Sequence, residues 1–198
     1  MDLRDPAEHF PWVPYEAQVW LDTCLPSDLD VFEWGSGSST LYFANRARRV
    51  VSIEHNPEWY AEVRAALTDQ YLDQVAYRLV PPRHCRLARY LPYSARTYVS
   101  RTFAADRDGT FRAYARAILD YADATFDLVL VDGRARAACL RLAPHKLKPG
   151  GLLVLDNSER PHYEPAMRAL RKYPRLDFFG RGPRLVEPWQ TTIWRIEK

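Results

Sequence analysis

Residues 29–40, Leu29-Asp30-Val31-Phe32-Glu33-Trp34-Gly35-Ser36-Gly37-Ser38-Ser39-Thr40, decide the fold. Leu29 to Glu33 reads as a buried strand. Gly35 and Gly37 follow at a sharp turn, where missing side chains let a ligand approach the backbone. Leu41, Phe43, Ala44 and Ala47 then mark a short helix, with Ser38 or Ser39 as its N-cap. Strand, glycine turn and helix together open a nucleotide-binding type of sheet.

The same alternation continues along the chain. Val50 to Ile53 is a second strand, and Pro57 suits the first turn of a helix that runs to about Leu67. Val75 to Val80 is a third strand. Asp127 to Val131 and Leu152 to Leu155 are continuous apolar runs, as expected of strands covered on both faces. Helical patterns cover 111–124, 135–147 and 161–173, and Lys148-Pro149-Gly150-Gly151 reads as a turn. Residues 175–179 and 191–196 look like two last strands, and 14–24 like an amphipathic helix. This order predicts an α/β fold: a doubly wound, mainly parallel, seven-stranded Rossmann-like sheet with an antiparallel C-terminal strand. We expect a single domain over 1–198, with a helical N-terminal segment (1–28) and an insertion at 82–110.

Composition narrows the class. With 47% hydrophobic and 27% charged residues the chain is globular. Its apolar runs fall far short of the roughly 20 residues of a membrane span. Met1 to Asp5 has no apolar stretch, which speaks against a secretory signal and for the cytoplasm. Cys24, Cys85 and Cys139 are too far apart for a zinc ribbon or a disulfide framework. Residues 82–116 carry eight arginines against Asp106 and Asp108, so a net charge of +6 sits there while the whole chain is +3. Tyr90, Tyr93 and Tyr98 are interleaved. Three readings stand for this stretch: a lid over an anionic or glycan-like small molecule, a structural or homo-oligomer contact, and nucleic-acid binding. No RNA-binding module accompanies it, which disfavours the third.

In such a sheet, ligands bind beyond the carboxyl ends of the strands. Glu33 precedes the glycine turn, and Thr40 stands where a dinucleotide fingerprint has its third glycine. An acid there repels phosphate and attracts a cation. Glu54 ends the second strand, 17 residues after Gly37, where a carboxylate accepts ribose hydroxyls. A ribose, a positive centre and no phosphate describe S-adenosylmethionine.

The motifs agree. Val31 to Thr40 resembles the first motif of class I S-adenosylmethionine-dependent methyltransferases, and Ser52-Ile53-Glu54-His55 their second. Phe126 to Gly133 resembles their fourth motif, and Leu147 to Leu152 the turn before their fifth strand. The Glu-Trp-Gly-Ser-Gly wording is similar to a bacterial subgroup. The resemblance implies that Glu33, Gly35, Ser36 and Gly37 line the methionine moiety, with Ser39 and Thr40 beside them. It also implies that Glu54 holds the ribose and that His55, Asn56 and Asp132 flank the cofactor. An acid after the third strand, often present in the family, is replaced by Val80-Pro81-Pro82.

Asp132, Asp156 and Asn157 end two neighbouring strands. They resemble the Mg²⁺ site of catechol-type O-methyltransferases, whose lysine after the first Asp is missing from Gly133-Arg134-Ala135-Arg136. The other reading is a helix cap and a turn. Arg134 and Arg136 are candidate forks for an acidic substrate. Asp132 and His162 are the catalytic candidates, with His55, His84, His145 and Glu159 as other bases. The expected activity is O-methylation of a small anionic or sugar-like acceptor. The alternatives are a non-catalytic nucleoside-binding or assembly protein, an RNA methyltransferase, and a nicotinamide dehydrogenase, which Thr40 and Glu33 disfavour.

Overall fold

Alternate residues of the first strand, β1 (Asp30–Trp34), serve two different cores. Val31 joins Leu128 and Leu130 on one face; Phe32 and Trp34 join Val129 and Val131 on the other. The computed structural model describes residues 3, 5, 9–67, 71, 73–100, 104–183 and 186–197. Arg101 of the basic stretch, and residues 1, 2 and 4, lie outside these.

Five elements run forward from α1 (Tyr15–Cys24): β1, α2 (Ser38–Ala44), β2 (Arg49–Glu54), α3 (Pro57–Ala66) and β3 (Val75–Leu79). A two-stranded ribbon follows, β4 (Arg83–His84) with β5 (Gly109–Thr110), and then α4 (Arg112–Arg116), β6 (Phe126–Val131) and α5 (Arg136–Leu142). The chain closes with β7 (Leu147–Asp156), α6 (Glu164–Met167), β8 (Arg175–Gly180) and β9 (Trp189–Ile196). The main sheet has seven strands in the order β3-β2-β1-β6-β7-β9-β8. The pairs from β3 to β7 are parallel; β9 runs antiparallel to both neighbours. The expected architecture is therefore present.

Helices α1, α2 and α3 bury Ala17, Leu21, Leu41, Phe43 and Val63 against one face. Helices α4, α5 and α6 bury Tyr114, Leu140 and Met167 against the other. Among the described residues no helix is long and apolar enough to cross a membrane.

Several boundaries differ from expectation, each for a local reason. The helix expected at 135–147 stops at Leu142 and tightens into a 3₁₀ turn, Ala143–His145, because Pro144 has no N–H to donate. The one expected at 161–173 is split into 3₁₀, α and 3₁₀ pieces that carry Pro161 and Pro165. The one at 111–124 is α4 followed by a 3₁₀ turn, Ala117–Asp120. Lys148 to Gly151 is not a turn but the first half of β7. Leu147 pairs with Phe126 and Gly151 with Ile196, and the register slips between Phe126 and Leu128 to absorb the irregularity.

Candidate active site

At the carboxyl edge the loops after β1 and β6 touch backbone to backbone. Gly35 has φ +91°, and a Cβ built there would stand 2.7 Å from the Gly133 amide nitrogen. Only glycine fits that position without strain. A Cβ on Gly133 would meet the Tyr114 hydroxyl at 1.8 Å. Gly37 is the N-cap of α2, with the Trp59 indole beside it and Trp59 Nε1 donating to Ser36 O at 2.7 Å.

Glu54 ends β2 between two loops. Its Oε2 accepts from the Ser36 amide at 3.1 Å and the Ser36 hydroxyl at 2.9 Å. Its Oε1 accepts from the His55 amide at 2.7 Å and the Asn56 amide at 2.8 Å. His55 Nδ1 also approaches Oε1 at 2.7 Å, off the axis of a hydrogen bond. Burial alone would raise this carboxyl. The His55 ring and the Asn56 and Ser36 amides outweigh burial and hold it below the usual range. Ser36 Oγ extends the network to Tyr77 Oη at 2.7 Å.

The other cofactor candidates are arranged behind this surface. Glu33 is fully buried; Ser39 Oγ donates to it at 2.8 Å and Thr40 Oγ1 also donates. Thr40 in turn accepts the Gly37 amide at 3.0 Å. Glu33, Ser39 and Thr40 therefore brace the glycine loop from beneath, rather than lining the cleft as the resemblance implies. Burial pushes Glu33 up to about 7 against the pull of the Thr40, Ser52 and Ser39 hydroxyls. Asn56 caps α3, its Oδ1 accepting the Trp59 amide at 2.8 Å, so its side chain is committed. His55 stands edge-on to the rings of Phe111 and Tyr114.

Asp132, Asp156 and Asn157 do reach one edge, but the cation between the carboxylates is Arg136. Its Nη2 donates to Asp132 Oδ1 at 2.9 Å and to Asp132 O at 2.7 Å. Its Nη1 donates to Asp156 O and lies 3.7 Å from Asp156 Oδ2; its Nε donates to Gly133 O at 3.0 Å. Asp156 Oδ1 is taken by Trp189 Nε1 at 2.8 Å and Thr191 Oγ1 at 2.7 Å. Asn157 begins a turn with φ +50°. The residues fit a metal ion poorly, because the guanidinium and the β9 donors occupy one oxygen of each carboxylate and place a cation between them. Among the described residues no group of three or more His, Cys, Asp or Glu side chains could hold a metal ion. Burial, reinforced by the neighbouring carboxylate and opposed by Arg136, pushes Asp132 up.

The expected substrate forks are likewise spoken for. Arg136 is committed to Asp132, Gly133 and Asp156 through the bonds just described. Arg134 Nε pairs with Asp106 Oδ2 at 2.9 Å, tying the β4–β5 segment to the loop after β6. Arg141 adds a second tie, donating to Ala95 O at 3.0 Å and Tyr98 Oη at 2.8 Å. Asp106 thus sits beside the loop after β6, and Ala95 and Tyr98 beside α5. His162 packs against the rings of Tyr93, at 4.7 Å, and Tyr163, at 4.2 Å between centroids. Burial, then Arg160 and Arg136, hold the His162 ring below the ordinary histidine value.

Trp59, Tyr77, Tyr114 and Asp106 were not anticipated as part of the site. Trp59 had a readable signal, since Asn56-Pro57 marks a helix start and fixes Trp59 in its first turn. Tyr114 and Asp106 had none, because both reach the site only through tertiary contact.

No family model matches the sequence, and no curated protein matches it. Solved structures do. The rRNA methylase of Streptococcus thermophilus superposes with a TM-score of 0.60 at 8% identity, over 93% of this chain and 96% of its own. TomG of Streptomyces achromogenes, an O-methyltransferase of tomaymycin synthesis in complex with SAM, gives 0.58 at 14%, over 85% and 73%. The Bacillus cereus O-methyltransferase in complex with SAH gives 0.56 at 16%, over 85% and 74%. Strand order, glycine loop and these likenesses together establish that the chain has the fold of the class I S-adenosylmethionine-dependent methyltransferases.

Proposed function

We propose that the protein transfers a methyl group from S-adenosylmethionine to a hydroxyl of a small anionic acceptor. The carrying observation is Glu54, kept ionised and bonded to the amides of Ser36 and Asn56, one from each loop bordering the cleft. A ribose diol is the neutral double donor such a carboxylate accepts. It would exchange for the Ser36 hydroxyl on Oε2 and leave the amide bonds in place. Gly35 and Gly37 keep the loop free of side chains, and two acids behind it disfavour a pyrophosphate.

When bound, S-adenosylmethionine supplies a methyl group already activated by its sulfonium, so alignment of the acceptor carries much of the rate. We assign His162 the acceptor's proton: a ring held below the usual histidine range is neutral at pH 7 and free to take it. Burial together with Arg160 and Arg136, opposed by Glu159, lowers the proton affinity of that ring. Asp132 acts as a positioning residue through Arg136 rather than as a base. No step passes through a metal ion.

Calorimetry with S-adenosylhomocysteine is the test. Micromolar binding that Glu54→Gln weakens about tenfold or more agrees with the reading. No heat with folded protein removes it. Binding without turnover on any hydroxyl acceptor would mark a nucleoside-binding protein instead.

A further inference from the structure

A cavity of about 520 Å³ opens at the opposite, amino edge of the sheet, away from the site above. Its walls include Trp20 of α1, Leu25 behind it, Leu152 of β7, Leu176 of β8 and Ile193 of β9. Leu176 is 46% exposed although it borders this hollow. The volume and the apolar lining fall in the range of sites that enclose small organic molecules.

The charges around it are unequal. Asp127 accepts the Asp30 amide at 2.9 Å and Lys148 Nζ at 2.8 Å, so its charge is already balanced. Arg175 pairs with Asp177 at 3.1 Å. Arg195, also in the lining, has no carboxylate partner among the described residues. Its guanidinium lies over Gly150, where a Cβ would stand 3.8 Å from both Nε and Nη2. An apolar hollow with one uncompensated guanidinium recognises an apolar body that ends in an anion. A guanidinium binds carboxylate through two parallel hydrogen bonds, and a cation would meet two arginines.

We propose that this cavity binds a monocarboxylate with an apolar body, the chain against Trp20, Leu152 and Ile193 and the carboxylate on Arg195. The site is independent of the methyltransferase reading. Cys24 lines the same hollow and is exposed, whereas Cys85 lies on the β4–β5 segment and Cys139 is buried. Alkylation by iodoacetamide, resolved by peptide, therefore reports occupancy.

Octanoate and 1-octanol are the probes. Octanoate at concentrations on the order of millimolar should slow Cys24 alkylation saturably and leave Cys85 unchanged. Octanol should protect less. Arg195→Gln should raise the half-protecting octanoate concentration about tenfold. Leu176→Trp, at a half-exposed position, should abolish protection by filling the hollow. Absence of protection in the wild-type chain overturns the proposal, as does equal protection by octanol or by octanoate on the Arg195→Gln variant.

Discussion

Arg136 Nη2, at the first residue of α5, lies 2.9 Å from Asp132 Oδ1 in the loop before it, and the same guanidinium reaches Asp156 across the edge of the sheet. A resident side chain thus holds the place that the sequence reserves for a divalent ion. Chelator or added Mg²⁺ should leave cofactor affinity and thermal stability unchanged. Arg136→Met should cost about 3–5 kcal/mol in urea unfolding, because two carboxylates lose their shared cation. Burial already holds both carboxyls above their unfolded values, Asp132 at about 8, and losing Arg136 would raise them further. The extra loss of stability should therefore grow as pH rises through 8, being larger at pH 9 than at pH 7; a pH-independent loss would count against this arrangement.

Gly133 and Tyr114 should be coupled. Gly133 has an ordinary backbone conformation, since among the glycines only Gly35 and Gly150 have positive φ. The cost of Gly133→Ala is therefore steric, the new methyl meeting the Tyr114 hydroxyl, and should be about 2–3 kcal/mol. That hydroxyl is buried beside the Arg134 backbone, so Tyr114→Phe should cost about 1 kcal/mol or less. In the Tyr114→Phe background the cost of Gly133→Ala should fall by about 1 kcal/mol or more. Strict additivity in a double-mutant cycle would show that the contact is not what excludes a side chain at 133.

Glu33 makes stability depend on pH in an unusual sense. Its carboxyl titrates from 4.5 when unfolded to about 7 when folded. Between those values the folded chain binds the extra proton, so stability falls as pH rises through that window, by about 3 kcal/mol in total. Glu33→Gln cannot titrate. Relative to the wild-type chain it should gain stability steadily from pH 5 to pH 8 by chemical denaturation. A constant difference between the two would disprove the burial of a titrating acid here.

His162 can be checked without knowing the acceptor. Its ring protons, followed by NMR, should titrate with a midpoint below the ordinary value of 6.5. Once an acceptor is found, kcat/KM should decline on the acid side with that same midpoint. His162→Gln should lower kcat about 100-fold and leave the affinity for S-adenosylhomocysteine unchanged. A midpoint above 6.5 would disqualify His162 as a neutral base at physiological pH.

The sequence was most readable where chemistry is local. The apolar runs 127–131 and 152–155, the glycine turn and Glu54 at a strand end all follow from neighbours within a few residues. The fate of Asp156 was not local. Its partners Trp189 and Thr191 follow it by more than thirty residues, and β9 brings them alongside through an antiparallel register that no short pattern encodes. Arg136 follows Asp132 by four residues, but across a non-helical loop in which Ala135 is left-handed. Helical pairing rules therefore gave no warning of the ion pair that takes its guanidinium. Glu33 shows the converse. The alternation that places Val31 in one core puts Glu33 on the same face, under Ser39 and Thr40, so its burial was implied by the strand itself.

The sheet order carries a consequence for how the protein is made. β9 lies between β7 and β8, yet it is synthesised after both. Until it arrives, β8 has no neighbour to pair with, and Asp156 lacks two of its donors. On the ribosome the cleft bordered by β1, β2 and their loops can form early, while the surroundings of Asp156 wait for β9. Nascent chains stalled before Trp189 should accordingly protect Glu54 and the glycine loop before they protect Asp156.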